Sequence, residues 1–353
     1  MDHEFYNVLG QSVDLKVYIY GSYSPEHRAW TTESFKKRTI NYQVKQLGTG
    51  PLNIFHQLNL KPYLNIIKAK PDIVISIAFW FPSLIAGIFK NIIGYKFIVV
   101  TDAIDNTEDK ISVLKKYIRL KILKKTDAVL SGSSLTTEYI KGIYPSVDTY
   151  LSSLTIDINK WTKIIQSLPD KTKLRRELRI KGRINVILGI GAFTENKNWL
   201  SVIEQMKSIP NSKLILIGSG NQKLSYLEYI EENKLENKID IINRIERNEL
   251  VKYYKLADIF IFPSLYDRYG YVVIEALSSG LPVLCANNVG SSTLIKDDYN
   301  GYLIDPVTNF VDVINLAIKN KINLSKNCYN SISHLSFENK VIEYLEVFKN
   351  VSK

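Results

Sequence analysis

The sequence predicts an α/β protein with two parallel sheets that face a central cleft. Short apolar runs that suit buried strands alternate with segments of helical periodicity along most of the chain, which is typical of βαβ units. The length of 353 residues corresponds to two domains at roughly 100–200 residues each. With 45% hydrophobic and 23% charged residues the chain can build a large core, which excludes disordered and collagen-like classes.

Strands are predicted wherever a short apolar run ends at a polar or glycine-containing segment. In the first half of the chain these runs are 15–20, 73–78, 97–101 and 128–131. In the second half they are 185–189, 213–217, 239–242, 259–263 and 282–286. Helices are expected between the strands, for example over 199–206 and 250–255.

The polar segment 150–170 is predicted to link two domains. We therefore expect an N-terminal domain over 1–155 and a C-terminal domain over 156–335. A C-terminal helix is expected over 336–353, for which a return to the N-terminal domain is one option. Two open parallel sheets of this kind bind ligands at the carboxyl ends of their strands.

The N-terminal domain begins in an unusual way. A domain of this class normally opens with a strand and a glycine-rich turn, whereas residues 3–11 suit a short helix that leads straight into the run 15–20. Either the opening strand is missing from this chain or the domain is built without it.

Several kinds of site are excluded by the residue patterns that the sequence lacks. Cys285 and Cys328 are far apart, so no zinc knuckle, redox pair or structural disulfide is expected, and a cytoplasmic location suits the chain. No secretory signal, Asp-x-Asp, His-Glu-x-x-His, Gly-x-Ser-x-Gly or P-loop pattern occurs. We expect neither a metal nor a cofactor. The uncharged stretch 73–89 contains Pro82 and is interpreted as a buried strand, a turn over 81–83 and a helix.

The net charge of +11 comes from 46 basic and 35 acidic residues and is spread over both halves. The densest basic run, 110–125, also carries Ile111, Leu114, Ile118 and Ile122 at helical spacing, which predicts an amphipathic helix with a basic face. Such a face is solvated, or binds an anionic membrane surface, or binds nucleic acid. No nucleic-acid motif accompanies it, so nucleic acid is not expected as a partner.

The strongest local pattern is Phe-Pro-Ser-Leu-Tyr-Asp-Arg-Tyr-Gly-Tyr-Val-Val-Ile-Glu-Ala at 262–276. It predicts a strand, a loop that holds Asp267 and Gly270, and a helix that begins near Tyr271. Because Gly270 lacks a Cβ atom, backbone N–H groups at the helix start can approach an anion, and the helix dipole favours a phosphate there. Asp267 and Glu275 can line one cleft, although acidic residues near helix starts also occur for structural reasons alone.

This pattern resembles the Glu-x7-Glu motif of the retaining glycosyltransferases of family four, typically Pro-Ser-x-x-Glu-x-x-Gly-x-x-x-x-Glu-Ala, with Asp267 in place of the first Glu. The resemblance covers about residues 185–306 and implies the GT-B fold of two Rossmann-like domains. It also implies that Asp267 lies beside the transferred sugar and that Glu275 accepts hydrogen bonds from the ribose hydroxyls. The backbone expected to hold the sugar and the distal phosphate is that of Tyr269, Gly270 and Tyr271.

The turn after the run 185–189 extends the resemblance and carries Gly191 and Lys197. In the family the matching lysine neutralises the nucleotide diphosphate. The arginine expected five residues earlier is Ala192 here, and Lys223 and Arg244 are candidates to replace it. Since a charge-assisted hydrogen bond is worth roughly 1.5–3 kcal/mol, the loss could weaken donor binding by about one to two orders of magnitude.

Other positions follow the family more loosely. The glycine turn at Gly218 would lie beside the nucleotide, and the backbone at Arg244 and Ile245 would contact the base. Thr293 stands where the family has an acid on the phosphate side. Asp258 matches a common position that we interpret as structural.

The N-terminal half binds the acceptor in this family. The loop after the run 97–101 often carries a catalytically placed histidine there, whereas this sequence has Asp102 and Asp105. Either carboxylate could accept a hydrogen bond from an acceptor hydroxyl, or it could cap a helix.

The resemblance implies an enzyme that transfers a sugar from a nucleotide-sugar donor to a hydroxyl of a glycan or lipid-linked acceptor with retained anomeric configuration, in surface polysaccharide or glycoconjugate biosynthesis. Charge on the leaving diphosphate would be stabilised by a lysine and a helix start, and that phosphate would take the acceptor proton. The basic helix would place the protein on the inner face of the cytoplasmic membrane. The catalytic candidates are Asp267, Glu275, Lys197 and Asp102.

Two other classes stay open. The departures at Ala192 and Thr293 and the unusual N-terminus motivate a non-catalytic nucleotide-sugar-binding or scaffold protein on the same fold. A sugar-nucleotide epimerase, or a glucan phosphorylase or synthase, is the other alternative. Turnover of a nucleotide-sugar donor would distinguish an enzyme from a non-catalytic protein. An epimerase would convert the donor sugar without any acceptor.

Overall fold

The computed structural model describes residues 3–19, 40–46, 61–108, 111–180 and 182–353. Two compact units are formed. The first unit consists of Met1–Ser153 with Phe337–Lys353, and the second unit of Leu154–Ser336. The last helix of the chain therefore belongs to the first unit.

The described part of the first unit forms two parallel sheets. One pairs β1 (Lys16–Ile19) with β2 (Gln43–Gln46). The other has the order β3-β4-β5-β6, formed by Ile73–Ile77, Lys96–Thr101, Ala128–Ser131 and Asp148–Leu151. Among the residues described before Ser153, the helices are α1 to α6, at His3–Leu9, Lys61–Ala69, Phe81–Ile93, Asp105–Glu108, Val113–Leu123 and Ser134–Ile143.

The second unit is built on a six-stranded parallel sheet of order β12-β11-β10-β7-β8-β9. Strands β7 to β12 are Asn185–Ile190, Ser212–Gly218, Ile239–Asn243, Ile259–Phe262, Val283–Ala286 and Gly301–Ile304. Helices α7 to α13 are Ile158–Ser167, Lys171–Glu177, Trp199–Gln205, Lys223–Glu232, Arg247–Leu256, Tyr271–Ser278 and Val311–Ile332. Short 3₁₀ turns lie at Glu195–Lys197, Met206–Ser208, Gly290–Leu294 and Ser333–Leu335, and the chain ends with α14 at Phe337–Ser352.

Burial of apolar side chains holds each unit together, at about 1.5–3 kcal/mol for each fully buried Val, Leu or Ile. The second unit has one continuous core on both faces of its sheet. The first unit has two. The α3-side core includes Phe97, Ile122 and Val129, and the α14-side core includes Phe5 and Tyr344.

The buried carboxylate of Asp258 joins several segments of the second unit. Asp258 accepts hydrogen bonds from Lys171 at 2.7 Å, from Arg175 at 2.5 Å and from the Val186 N–H at 2.7 Å. Burial alone would raise the pKa of Asp258, but these partners outweigh it and lower the pKa. This network agrees with the structural interpretation of Asp258.

The parallel α/β architecture predicted from the sequence is confirmed, and so is the short helix at the start, α1. Each predicted apolar run overlaps a strand, and the bounds differ by one residue in several cases; residue 20, at the end of the first run, lies outside the described residues. Strands β2, β6 and β12 were not predicted. Within the described residues, no helix is both long and apolar enough to cross a bilayer.

Three local predictions are wrong. The segment 150–170 is not a linker throughout, because it contains the end of β6 and all of α7, whose Trp161 is buried. The turn expected over 81–83 is already the first turn of α3. The basic helix α5 is shorter than the predicted 110–125, and Leu114 on it is 66% exposed and lies outside the core. Lys110 lies outside the described residues.

Candidate active site

The sheet order of the second unit defines where a ligand is expected. From β7 the chain builds outward through β8 to β9, and then returns to the other side of β7 to place β10, β11 and β12. Strands β7 and β10 are therefore neighbours at the point where the order reverses. Ligands of open parallel sheets bind at the carboxyl ends of the strands beside this point. The loops that follow β7 and β10 meet there.

An ion pair between Lys197 and Asp267 joins these two loops. The Lys197 ammonium donates a short hydrogen bond to Asp267 Oδ2, and the exposed fractions of the two side chains are 15% and 22%. The same ammonium lies 5.1 Å from the centre of the Phe262 ring. Asp267 Oδ1 accepts a hydrogen bond from the Tyr269 N–H at 3.0 Å. The sequence-predicted cation and carboxylate are thus brought into one half-buried cluster.

Backbone hydrogen bonds hold the two loops in register around this pair. The Leu265 N–H donates to Asn196 O at 2.8 Å, and the Asn288 amide donates to Leu265 O at 2.6 Å. The Gly290 and Ser291 N–H groups donate to Asp267 O at 3.3 Å and to Tyr269 O at 2.9 Å. The loop that carries Asp267 is consequently fixed on both sides by neighbouring loops.

Gly270 is required where helix α12 begins. Its φ of +93° lies in the left-handed region, and a Cβ atom there would stand 2.6 Å from the Phe262 ring. The first residue of α12 is Tyr271, as predicted, so the N-terminus of this helix follows the loop that leaves the carboxyl end of β10. The positive end of this helix favours an anion at the same edge.

The predicted glycine turns after β7 and β8 touch each other. A Cβ atom on Gly218 would stand 1.8 Å from Gly191 O and 2.8 Å from the Phe193 ring. Phe193 N–H donates to Ser219 O at 2.8 Å. The absence of side chains at Gly191 and Gly218 therefore lets the two loops pack closely at the same edge of the sheet.

Glu275 lies one turn into α12 and is held by two side chains of α11. Tyr254 donates its hydroxyl hydrogen to Glu275 Oε2 at 2.8 Å, and the Arg247 guanidinium lies 3.5 Å from Oε1. Burial is the largest influence on the carboxyl and raises its pKa, against the opposing effect of Arg247 and Tyr254. Burial and the nearby Glu275 also raise the pKa of Tyr254 well above its usual value, so its hydroxyl stays protonated.

Arg247 and Tyr254 were missed by the sequence analysis. They are seven residues apart on one helix, which places them two turns apart on one face, and this spacing was the available signal. The Arg247 guanidinium also lies 5.1 Å from the centre of the Trp161 ring, and Trp161 donates its indole hydrogen to Ser279 at 2.9 Å. Helices α7 and α11 thus support the side of α12 that carries Glu275.

The remaining predicted positions of the second unit have contacts of their own. Lys223 donates to the Asn243 side chain at 2.7 Å, and Arg244 is exposed. Ile245 packs against the core of the second unit, and the exposed Thr293 donates to Gly290 O at 3.1 Å. Lys223 and Arg244 stay our candidates to replace the missing arginine.

Asp102 belongs to the first unit, where it directly follows β4 and is half-buried. Asp105 is exposed and is the first residue of the short helix α4. Among the described residues no group of three or more His, Cys, Asp or Glu side chains is arranged to hold a metal ion.

Comparisons with known proteins identify the relatives of this arrangement. Residues 170–334 match the family model described as Glycosyl transferases group 1. UDP-Gal:alpha-D-GlcNAc-diphosphoundecaprenol alpha-1,3-galactosyltransferase of Escherichia coli is 26% identical over 208 residues, which make up 56% of this chain and 50% of that protein. Alpha-monoglucosyldiacylglycerol synthase of Acholeplasma laidlawii is 29% identical over 140 residues, 39% of this chain and 34% of that protein. The matches thus span half or less of these relatives.

The fold is shared with solved glycosyltransferases. The crystal structure of HepE from Anabaena in complex with UDP has a TM-score of 0.78 at 15% identity, and the match covers 99% of this chain and 96% of that chain. The chain therefore has the GT-B fold, with two Rossmann-like units. The segment 170–334 is the part of the chain that is similar to the group 1 glycosyltransferases.

Proposed function

We propose that this chain transfers a sugar from a nucleotide-sugar donor to a hydroxyl of a glycan or lipid-linked acceptor with retention of anomeric configuration. The observation that carries the proposal is the Lys197–Asp267 pair beside the start of α12, at the reversal point of the sheet. This pair lies inside the segment that matches the group 1 family. The UDP bound to HepE and the UDP-sugar named for the Escherichia coli relative support a nucleotide sugar as the donor class.

The donor would bind with its diphosphate against Lys197 and the first turn of α12. Both supply positive charge where negative charge develops as the sugar leaves, so no bound cofactor is needed for that purpose. Lys197 would exchange part of its contact with Asp267 for the diphosphate. Gly191 and Gly218 leave room for the nucleotide, and Glu275 would accept hydrogen bonds from the ribose hydroxyls.

Asp267 would lie beside the transferred sugar, at the point where the oxocarbenium-like centre forms. Its carboxylate can stabilise positive charge there once the Lys197 ammonium turns to the phosphate. The leaving phosphate would take the proton of the acceptor hydroxyl, so this chain need not provide a strong base. The half-buried Asp102 of the first unit is our candidate for a hydrogen-bond acceptor to that hydroxyl.

Donor hydrolysis in the absence of an acceptor tests this function. We would incubate the protein with α-linked UDP-sugars and GDP-sugars and follow the anomeric protons by NMR. Release of the nucleoside diphosphate with the α-anomer appearing first is expected, and Lys197→Ala should slow it by at least about tenfold. Lys252→Ala, on the outer face of α11, serves as the matched control.

Each other outcome has a defined meaning. First appearance of the β-anomer would refute retention. Conversion of the donor sugar to its epimer without release would favour an epimerase. Binding of a nucleotide sugar without turnover, even with added glycan and lipid-linked acceptors, would favour the non-catalytic alternative that the departures at Ala192 and Thr293 suggest.

Helix α5 supports an acceptor at an anionic membrane surface. Its first turns expose Val113 (83%), Leu114 (66%) and Tyr117 (53%). The exposed lysines around them are Lys115, Lys116, Lys121 and Lys124. Apolar side chains that insert into a bilayer surface, next to lysines worth about 1 kcal/mol each near anionic lipid, form an interfacial helix.

Vesicle sedimentation tests the membrane part of the proposal separately. Vesicles with roughly one-third anionic lipid should retain the protein, whereas neutral vesicles should not. The double substitution Lys115→Glu with Lys116→Glu should abolish retention, and the same change at Lys319 and Lys326 in the second unit should not. Equal retention by both variants would show that α5 is a solvated face.

A further inference from the structure

A lysine and an asparagine form a pair at the carboxyl ends of two neighbouring strands of the second unit. Asn243 is the last residue of β9, and Lys223 is the first residue of helix α10, which follows β8. The Lys223 ammonium donates a hydrogen bond to Asn243 Oδ1 at 2.7 Å. We call these two side chains the amide pair. It lies at the same edge of the sheet as the Lys197–Asp267 pair.

The lysine determines which way round the asparagine amide stands. An ammonium group donates three hydrogen bonds and accepts none, so it bonds to the oxygen of an amide and not to its nitrogen. Oδ1 is therefore the atom beside Lys223, and the Nδ2 amino group takes the other position. Asn243 is exposed, and its Nδ2 has no hydrogen-bond partner among the described residues. The amide pair thus offers N–H donors from both of its side chains.

The strand next to Asn243 leaves space beside its amide. In the register of the parallel sheet, the partner of Asn243 on β8 is Gly218, which has no side chain. The turn that follows β8 packs closely on the turn after β7, since a Cβ atom on Gly220 would stand 2.2 Å from Phe193 O. A flat group can therefore lie over the ends of β8 and β9 without meeting a side chain at position 218.

Helix α11 connects this edge with the proposed donor site. It begins at Arg247, four residues after Asn243, and the Arg247 guanidinium lies 3.5 Å from Glu275 Oε1. Glu275 itself lies one turn after Tyr271, the first residue of α12. The candidate ribose ligand is therefore close to the start of α12, where the diphosphate is proposed to bind, and close to the start of α11, just after Asn243.

The sheet sets the distance that a nucleotide would span. In the order β10-β7-β8-β9, three strand intervals separate β10 from β9. At about 4.8 Å each, these intervals amount to about 14 Å. An extended nucleoside diphosphate has a comparable length. With its diphosphate at the Lys197–Asp267 pair and its ribose at Glu275, its base would reach the amide pair.

Nucleobases differ in the groups that they would present to these donors. Uracil and guanine carry an exocyclic carbonyl oxygen, which accepts hydrogen bonds, where cytosine and adenine carry an amino group, which donates them. An amino group against Nδ2 and the ammonium would place donors against donors, and a donor that loses its partner costs free energy. The amide pair therefore favours the bases that carry a carbonyl at this position.

We propose that the amide pair reads the base of the donor nucleotide. Asn243 Nδ2 donates to the exocyclic carbonyl oxygen of uracil or guanine, and Lys223 holds the amide in that orientation. Asn243 is then a specificity-determining residue, and Lys223 is a positioning residue that acts through it. This inference rests on the proposed function, because the bound molecule is a nucleotide sugar. It adds which bases the site accepts and which it rejects.

Titration calorimetry with UDP, CDP, GDP and ADP tests the proposal in matched pairs of bases. The wild type should bind UDP more tightly than CDP, or GDP more tightly than ADP, by about tenfold or more, and the two pairs show which base is the ligand. In Asn243→Asp a carboxylate oxygen replaces the donor, so this preference should fall by at least about tenfold. Asn237→Asp is the matched control. It adds the same charge at an exposed position before the amino end of β9 and should keep the wild-type preference.

Lys223 is tested by the ratio of affinities within a pair of bases. In Lys223→Met the amide can turn, so the preference for the carbonyl-bearing base should fall, whereas Lys223→Arg keeps a donor and should retain the preference. An equal loss of affinity for all four nucleotides in Lys223→Met would show that this lysine contacts the diphosphate. That result would overturn its positioning role.

Failure of this inference can be distinguished from failure of the proposed function. If the wild type transfers a sugar but binds UDP and CDP equally, and GDP and ADP equally, the proposed function stands and the amide pair does not read the base. The inference is also overturned if the preference survives in Asn243→Asp. If the wild type binds none of the four nucleotides, both proposals are overturned.

Discussion

Glu275 is a carboxyl whose position costs stability at neutral pH. Burial raises its pKa, and the contacts from Arg247 and Tyr254 offset this in part. Because the pKa in the folded state lies above the unfolded value, the contribution of this group to stability is greatest below the ordinary glutamate pKa. It is lost as the pH rises through the folded value. A carboxyl that is buried although burial raises its pKa and lowers stability at neutral pH is typical of a functional site.

We therefore expect Glu275→Gln to leave the free energy of unfolding at pH 7 equal to or above that of the wild type, while nucleotide-sugar binding is lost. The amide oxygen can still accept the Tyr254 hydroxyl, and the buried charge is gone. Thermal unfolding with and without ligand measures both effects. The free energy of unfolding of the wild type should rise relative to that of the variant as the pH falls toward the glutamate pKa. A loss above about 1 kcal/mol at pH 7 would show that Glu275 is a structural residue.

Lys340 is a buried lysine of the first unit that donates three hydrogen bonds to the segment at Ser152 and Ser153. Its ammonium lies 3.2 Å from Ser152 O, 3.0 Å from Ser152 Oγ and 2.5 Å from Ser153 O. Burial lowers its pKa to about 8, although Glu343 acts in the opposite direction. Between that value and the ordinary lysine pKa the folded state binds fewer protons than the unfolded chain, so this group makes stability rise with pH.

The pH dependence of unfolding should reveal this lysine. Relative to Lys340→Met, the wild type should gain about 3 kcal/mol in free energy of unfolding between pH 8 and about pH 10.5. Denaturant titrations across this range provide the measurement, and Lys349→Met on the exposed side of α14 is the matched control. A difference between wild type and Lys340→Met that stays constant with pH would contradict the argument.

At the scale of single elements, helix α12 was predicted well because its signals are local. Gly270 and the following apolar residues fix its start without reference to the rest of the chain. Strand β6 was missed because its residues include Asp148 and Thr149 and it lies at the sheet edge, so it shows no apolar run. Helix α7 carries Ile158, Trp161 and Ile165 at helical spacing, a signal that the polar composition of the segment obscured.

Two glycines of the second unit allow backbone strain to be separated from steric contact. Both Gly270 and Gly280 have positive φ, at +93° and +73°, but an added Cβ meets the Phe262 ring at 2.6 Å only at the first. Gly280→Ala should cost about 1 kcal/mol from the backbone alone. Gly270→Ala should cost about 2–4 kcal/mol, because the ring must also move. Urea denaturation measures the destabilisation of both variants. Equal values would show that the Phe262 ring moves aside without a cost in stability.

At the scale of the whole molecule, the sequence predicted two parallel α/β sheets and a site after the strands that became β7 and β10. Lys197 and Asp267 form an ion pair because the loops that carry them follow neighbouring strands. The support of Glu275 by Arg247 and Tyr254 was not predicted, because it depends on how two helices pack. The two separate sheets among the described residues of the first unit were not predicted, because strand pairing depends on tertiary structure.

The central claim is that the Lys197–Asp267 corner binds the diphosphate of a nucleotide sugar. Isothermal titration of UDP-sugars and GDP-sugars into the wild type and into Lys197→Met tests it most directly. One donor should bind at one-to-one stoichiometry, and the variant should bind it about tenfold to a hundredfold more weakly, as expected for loss of a charge-assisted contact. Equal affinity of wild type and variant, or no binding of any donor by the wild type, would contradict the claim.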